Sequence, residues 1–225
     1  MPEMEIFEAM QTCRTIRRLR PDPVPDDLLR KVLRAATWAP SGGNRQPWRF
    51  LVVRDAERKR HLREWYLPLW RNFSQAYGRR LESLSPAARG PHTRMLSAAD
   101  HLAEHFHEAP VIIVVCVHIP ELAITDAGLG RPSVVGGASI YPAVQNLILA
   151  CRAVGLGAAL TTLLCQKEPE VRALLGIPEE WATCAHLPVG FPHGKGHGPV
   201  KRRSVASVAY LDHWDRPLFA ESESS

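Results

Sequence analysis

Directly after Pro110 stand seven consecutive apolar residues, 111–117 (VIIVVCV). A strand with one wet face alternates apolar and polar side chains, whereas a run apolar at every position is buried on both faces. Such a strand belongs in the middle of a sheet covered on both sides. Three more segments read as strands: 48–54, dense in aromatic and β-branched residues, 156–164, and 183–191.

Helical patterns alternate with these strands. Ile6, Met10 and Cys13 share one helical face. Pro25, Asp26 and Asp27 suit a helix start, with Leu28, Leu29, Val32, Leu33 and Ala36 as its apolar stripe and a stop required before Pro40. A polar helix is expected from Asp55, and others over 97–108, 140–154 and 168–175. In 65–94 the periodicity is poor: Tyr66, Trp70, Phe73 and Tyr77 stand among arginines, followed by Ser85, Pro86, Gly90 and Pro91. That segment is expected to be partly helical and mobile, a lid-like region. Trp65, Tyr66, Trp70 and Phe73 read first as packing, with stacking over an aromatic acceptor as the alternative. Residues 120–137 read as a loop and 205–225 as a C-terminal arm with an acidic, serine-rich tip.

At 225 residues the chain suits one core, so a single domain over 1–225 is expected. Apolar residues at 45% and charged residues at 23% argue against a disordered or membrane-embedded chain. The longest apolar region, 140–164, is interrupted by Gln145, Asn146 and Arg152 and punctuated by Gly155 and Gly157, so no membrane span is expected. The net charge of +5 raises nucleic acid as a partner, but the arginines are spread from Arg14 to Arg216, as on a solvated basic surface. Cys13, Cys116, Cys151, Cys165 and Cys184 form no C-x-x-C pair, which fits a reducing compartment. With Glu3 and Glu5 in place of an apolar leader, a cytoplasmic location is expected.

Four segments carry candidate chemistry. Arg14, Thr15, Arg17 and Arg18 offer guanidinium forks and a hydroxyl to a phosphate, or are simply cations at a helix end. In 39–48 (APSGGNRQPW) two glycines let backbone approach a planar ligand, although an ordinary helix-to-strand loop has the same composition. Gly155-Leu156-Gly157 leading to Thr161-Thr162-Leu163 reads on its own as a core strand, and Lys201-Arg202-Arg203 as a surface basic run.

Taken in order, these segments resemble the nitroreductase superfamily: an Arg-Arg-Ser-x-Arg-like motif, a helix, then Ala-Pro-Ser-Gly-x-x-x-Gln-Pro-Trp. The likeness runs from Met4 to Trp214 and is weakest over 65–94. It implies an α+β fold of three layers, α/β/α, around a central, mostly antiparallel sheet, in an intertwined homodimer with active sites between subunits. Residues 140–154 and the arm beyond Val205 are the candidate subunit contacts. The resemblance places Arg14, Thr15 and Arg17 on the phosphate and pyrimidine side of FMN. It places Pro40, Ser41, Gly42 and Asn44 along the flavin ring, and the backbone of Thr161, Thr162 and Leu163 at flavin N5. Lys201 and Arg203 close over the phosphate. Cys13 stands where the family has its first Arg, and Thr15 replaces Ser while keeping a hydroxyl.

The implied activity is hydride transfer from NADH or NADPH through bound FMN to a small electron-poor acceptor such as a nitroaromatic or quinone, by ping-pong kinetics and without a side-chain acid. The alternatives are a specialised same-fold enzyme, deiodinase-like or flavin-consuming, and a flavin-holding or nucleic-acid-binding module without turnover. His101, Glu104 and His105 match the H-x-x-E-H zinc spacing, but no third ligand presents itself, and a solvated helix face is expected. His193 and His197, among glycines, are expected to face solvent. No G-x-G-x-x-G follows a strand, so the nicotinamide is expected to bind transiently over the flavin.

Overall fold

A computed structural model describes residues 4–219. Four strands form one antiparallel sheet in the order β1-β2-β4-β3: β1 (Trp48–Val53), β2 (Val111–His118), β3 (Gly157–Ala158) and β4 (Trp181–Gly190). The unbroken apolar run is the central strand β2, paired with β1 on one side and β4 on the other. Because side chains alternate across a strand, Val111, Ile113, Val115 and Val117 enter one core cluster and Ile112, Val114 and Cys116 the other. Each such side chain contributes on the order of 1.5–3 kcal/mol by leaving water. That two-sided burial is the three-layer α+β fold expected from the sequence.

The first layer consists of α2 (Asp26–Ala36) and α5 (Tyr141–Ala153), which pack on each other and on the sheet, with α1 (Ile6–Thr12) against α5. Pro25 stands at the N-cap position of α2, Asp26 and Asp27 favour its positive end, and Leu29, Val32 and Ala36 form the buried stripe. The second layer holds α3 (Ala56–Leu81), α4 (Pro86–Glu104) and α6 (Glu168–Leu175). No helix among the described residues is long and apolar enough to cross a membrane.

Two sequence expectations need correction. Residues 65–94, expected to be only partly helical, are helical except at 82–85 and build much of an α3–α4 hairpin, despite Pro68 and Pro91 inside the helices. Tertiary packing overrides local propensity there: Tyr66, Leu67 and Trp70 are buried, and the Tyr77 hydroxyl lies 2.8 Å from His92 Nδ1 across the hairpin. Residues 156–164 are not one strand. After Gly157–Ala158 the chain makes a single further bridge, Thr161 to His186, and then a 3₁₀ turn (Leu163–Lys167) into α6. A buried turn has the same apolar composition as a buried strand, so periodicity alone does not separate them.

Candidate functional site

The first motif is placed by the sheet's β3 edge. After α1 the backbone is extended; Ile16 N–H donates to the Ala158 carbonyl at 3.0 Å and Arg20 N–H to the Phe191 carbonyl at 2.8 Å. Ile16 is buried against Gly157 so closely that a Cβ there would stand 2.6 Å from the Ile16 Cβ. Gly157 is therefore the residue that admits the motif. With Ile16 turned inward, its neighbours Thr15 and Arg17 face the other way, as a two-residue period requires.

Thr15 and Arg17 line a cleft of about 230 Å³ together with Thr161, Thr162 and Leu163, and its opposite wall is Tyr66, Trp70 and Phe73 of α3. The first and third sequence segments thus meet. Arg17 is half-buried, and among the described residues it makes no ion pair. Burial pushes its pKa down, opposed by Tyr66, yet a guanidinium does not give up its proton. The cleft therefore has a fixed, uncompensated positive charge on its wall. Tyr66 is buried with its ring 4.5 Å from that of Phe106; burial raises its pKa, while a hydrogen bond with the Thr161 side chain and the charge of Arg17 act in the other direction. Trp70 is both packed and cleft-lining, its indole N–H held 2.7 Å from Asp100 Oδ1, whereas Trp65 does not line the cleft.

The fourth segment is tied to the first. The Arg14 guanidinium donates to the Pro199 carbonyl from Nε at 3.1 Å and from Nη2 at 2.6 Å. Lys201 and Arg203 follow immediately and are exposed. His197 corrects the sequence reading: it is half-buried, accepting from Arg14 N–H at 3.3 Å and lying 2.8 Å from the Leu156 carbonyl through Nε2. Its partners lie far away in sequence, so spacing gave no signal. His193 is exposed, as expected. Cys13 turns its thiol toward the Ile148 carbonyl at 3.8 Å, and burial raises its pKa.

The second segment stands elsewhere. Ser41, Gly42 and Asn44 form a tight turn before β1: the Ser41 hydroxyl accepts from Gln46 N–H at 3.0 Å and Gly42 N–H donates to the Ser139 hydroxyl at 3.1 Å. Gly43 and Asn44 take left-handed φ values of 59° and 53°. Pro40, Gly42 and Asn44 are exposed. Since β1 and β3 are opposite edges of the sheet, about 14 Å apart at ~4.8 Å per strand spacing, one chain does not bring this turn to the cleft.

A larger cleft, of about 370 Å³, lies between the connector 21–25 and α3, but its cations are engaged. Arg54 is bound to Asp26 and the Val24 carbonyl, and Lys59 donates to the Ala109 carbonyl at 2.7 Å. His101 and His105 lie with ring centroids 4.3 Å apart, and His105 pairs with Glu108. Among the described residues no three His, Cys, Asp or Glu side chains are grouped to hold a metal.

An antiparallel sheet between helical layers, with a first-motif arginine uncompensated at the β3 edge, defines the class: the Nitroreductase family model matches residues 11–191, and the chain belongs to that family. It is 34% identical over 201 residues to the NADH dehydrogenase of Thermus thermophilus, covering 88% of this chain and 91% of that protein. It is 28% identical over 210 residues to iodotyrosine deiodinase 1 of Rattus norvegicus, covering 92% and 70% respectively. Its fold matches a nitroreductase with bound FMN from Desulfitobacterium hafniense with a TM-score of 0.65 at 19% identity, over 93% of this chain and all of that one.

Proposed function

We propose that this chain is an FMN-dependent NAD(P)H oxidoreductase, with the flavin in the cleft beside Arg17 and the site completed by a second copy. Arg17 carries the reading: a half-buried cation with no ion pair among the described residues suits an electron-rich ligand edge, and reduced flavin is anionic near N1. Low local dielectric would strengthen that attraction.

The surrounding residues fit the rest of the cofactor. Arg17 and Thr15 would hold the pyrimidine edge, and the turn at Thr161, Thr162 and Leu163 would offer backbone polar groups to the ring. Lys201 and Arg203, which follow the Pro199 carbonyl held by Arg14, would form the phosphate end. FMN held there would supply the chemistry of hydride transfer from NADH or NADPH to a small electron-poor acceptor such as a nitroaromatic or quinone. Tyr66, Trp70 and Phe73 give that side an apolar wall that limits water.

A homodimer accounts for what one chain lacks. The 230 Å³ cleft falls below the roughly 300–1,000 Å³ of an ordinary ligand pocket. The turn carrying Pro40, Ser41, Gly42 and Asn44 is available at the other sheet edge for the neighbouring copy's cleft. Exposed apolar side chains would be covered in such a contact: Ile6, Phe7 and Met10 on α1, and Val205, Val208 and Trp214 on the arm. The apolar positions of α5 are covered mainly by its own chain, so α1 and the arm are the better interface. The acidic tip at 220–225 lies outside the described residues.

Anaerobic mixing of the FMN-loaded protein with NADH or NADPH tests turnover. The flavin colour should bleach rapidly and return on adding a nitroaromatic or quinone. Persistent colour would instead identify a flavin-holding module, and recolouring only by halogenated phenols a reductive dehalogenase like the deiodinase relatives.

A further inference from the structure

We infer that His197 is a positioning residue for phosphate recognition, latching the basic loop to the first motif and so setting where Lys201 and Arg203 stand. The ligand in this inference rests on the flavin reading; the latch is a property of the chain alone.

The latch ties down four consecutive residues, 197–200. His197 Nδ1 accepts from Arg14 N–H at 3.3 Å while Nε2 stands 2.8 Å from the Leu156 carbonyl. One neutral tautomer, with its proton on Nε2, satisfies both bonds at once. Burial lowers the pKa of His197, against the pull of the Leu156 carbonyl and with help from Arg152 and Arg14, which favours that neutral form. Gly198 N–H donates to the Thr12 carbonyl and Val200 N–H to the Gln11 carbonyl, each at 2.9 Å. Between them the Pro199 carbonyl accepts the Arg14 fork. Gly194 and Gly196, at φ values of 78° and 61°, let the chain double back into this run.

Two consequences follow for the anion end of the site. Arg14 has its fork committed to a main-chain carbonyl, so it acts as scaffold beneath the loop, and Cys13 has turned toward α5. Where the ties stop the exposed basic run Lys201, Arg202 and Arg203 begins, and Lys201 and Arg203 are the pair assigned to the phosphate. Their reach therefore depends on the latch, and among the described residues the imidazole is the one side chain that joins the loop to both Arg14 and Leu156.

The test compares wild type, His197→Ala, His197→Gln and the exposed-histidine control His193→Ala. Amide hydrogen exchange on the flavin-free protein reads the latch; dissociation constants for FMN and for riboflavin, which lacks the phosphate, read its effect. In His197→Ala the Arg14 and Gly198 amides should exchange about tenfold faster, the scale of one lost structural hydrogen bond. FMN affinity should fall about tenfold, toward that of riboflavin, while riboflavin affinity changes less than about twofold. His197→Gln, which keeps one of the two bonds, should lie between, and His193→Ala should match wild type. Unchanged exchange at Arg14 overturns the latch. Faster exchange with unchanged FMN affinity overturns its role at the phosphate, as does an equal loss for both flavins. A wild type that takes up neither flavin overturns the flavin reading itself, while the exchange data still decide the latch.

Discussion

His186 lies fully buried on β4 with neither ring nitrogen hydrogen-bonded among the described residues, and burial pushes its pKa down to about 4. It faces the α3–α4 core beside Thr161, its bridge partner. The folded chain keeps this imidazole neutral down to that pH, while the unfolded chain protonates it below about 6.5. The folded state is therefore favoured above pH 6.5 and loses ground as the pH falls toward 4. His186→Leu removes the sensitive group at similar volume. Urea unfolding at pH 7 and pH 5 should show wild type losing about 2 kcal/mol more than the variant over that interval; parallel losses would mean the imidazole is hydrated or paired. Nothing in the sequence marks His186, because its neighbours Ala185 and Leu187 read as plain strand core.

Among elements, the edge formed by residues 14–20 against β3 decides whether the cleft exists. Gly157→Ala would press a methyl into Ile16, and overpacking of this kind costs about 1–3 kcal/mol. The melting temperature should fall by roughly 2–12 °C. Gly78 in α3 is the contrast: a Cβ there meets nothing within 4 Å, and Gly78→Ala should stabilise by about 0.5–1 kcal/mol. Melting curves of both check the packing directly, and a stabilised Gly157→Ala would refute the close approach. The elements legible in advance were those whose period is unambiguous, β2 and α6 above all, the latter running over Glu168–Leu175 as expected. The α3–α4 hairpin was less so. Pro68, Gly78 and Pro91 break its local pattern, while what holds it is non-local: Arg89, on α4, caps the end of α3 by donating to the Leu81, Glu82 and Leu84 carbonyls.

At the scale of the molecule, the fold brings the first, third and fourth candidate segments to one edge of the sheet and leaves the second, 39–48, at the other. Arg14, Thr15 and Arg17 were readable as a group because they are contiguous, and Thr161, Thr162 and Leu163 because of their resemblance to the family. That 39–48 lies across the sheet was not readable, since chain order does not reveal which strands become edges. In the proposed homodimer the same separation would account for the small cleft of one chain and for the exposed apolar residues of α1 and the arm. The most direct measurement is a titration of FMN with the flavin-free protein, following the fluorescence of the free cofactor. Quenching that saturates at one FMN per chain is the predicted result, and fluorescence that stays bright throughout the titration would contradict the account.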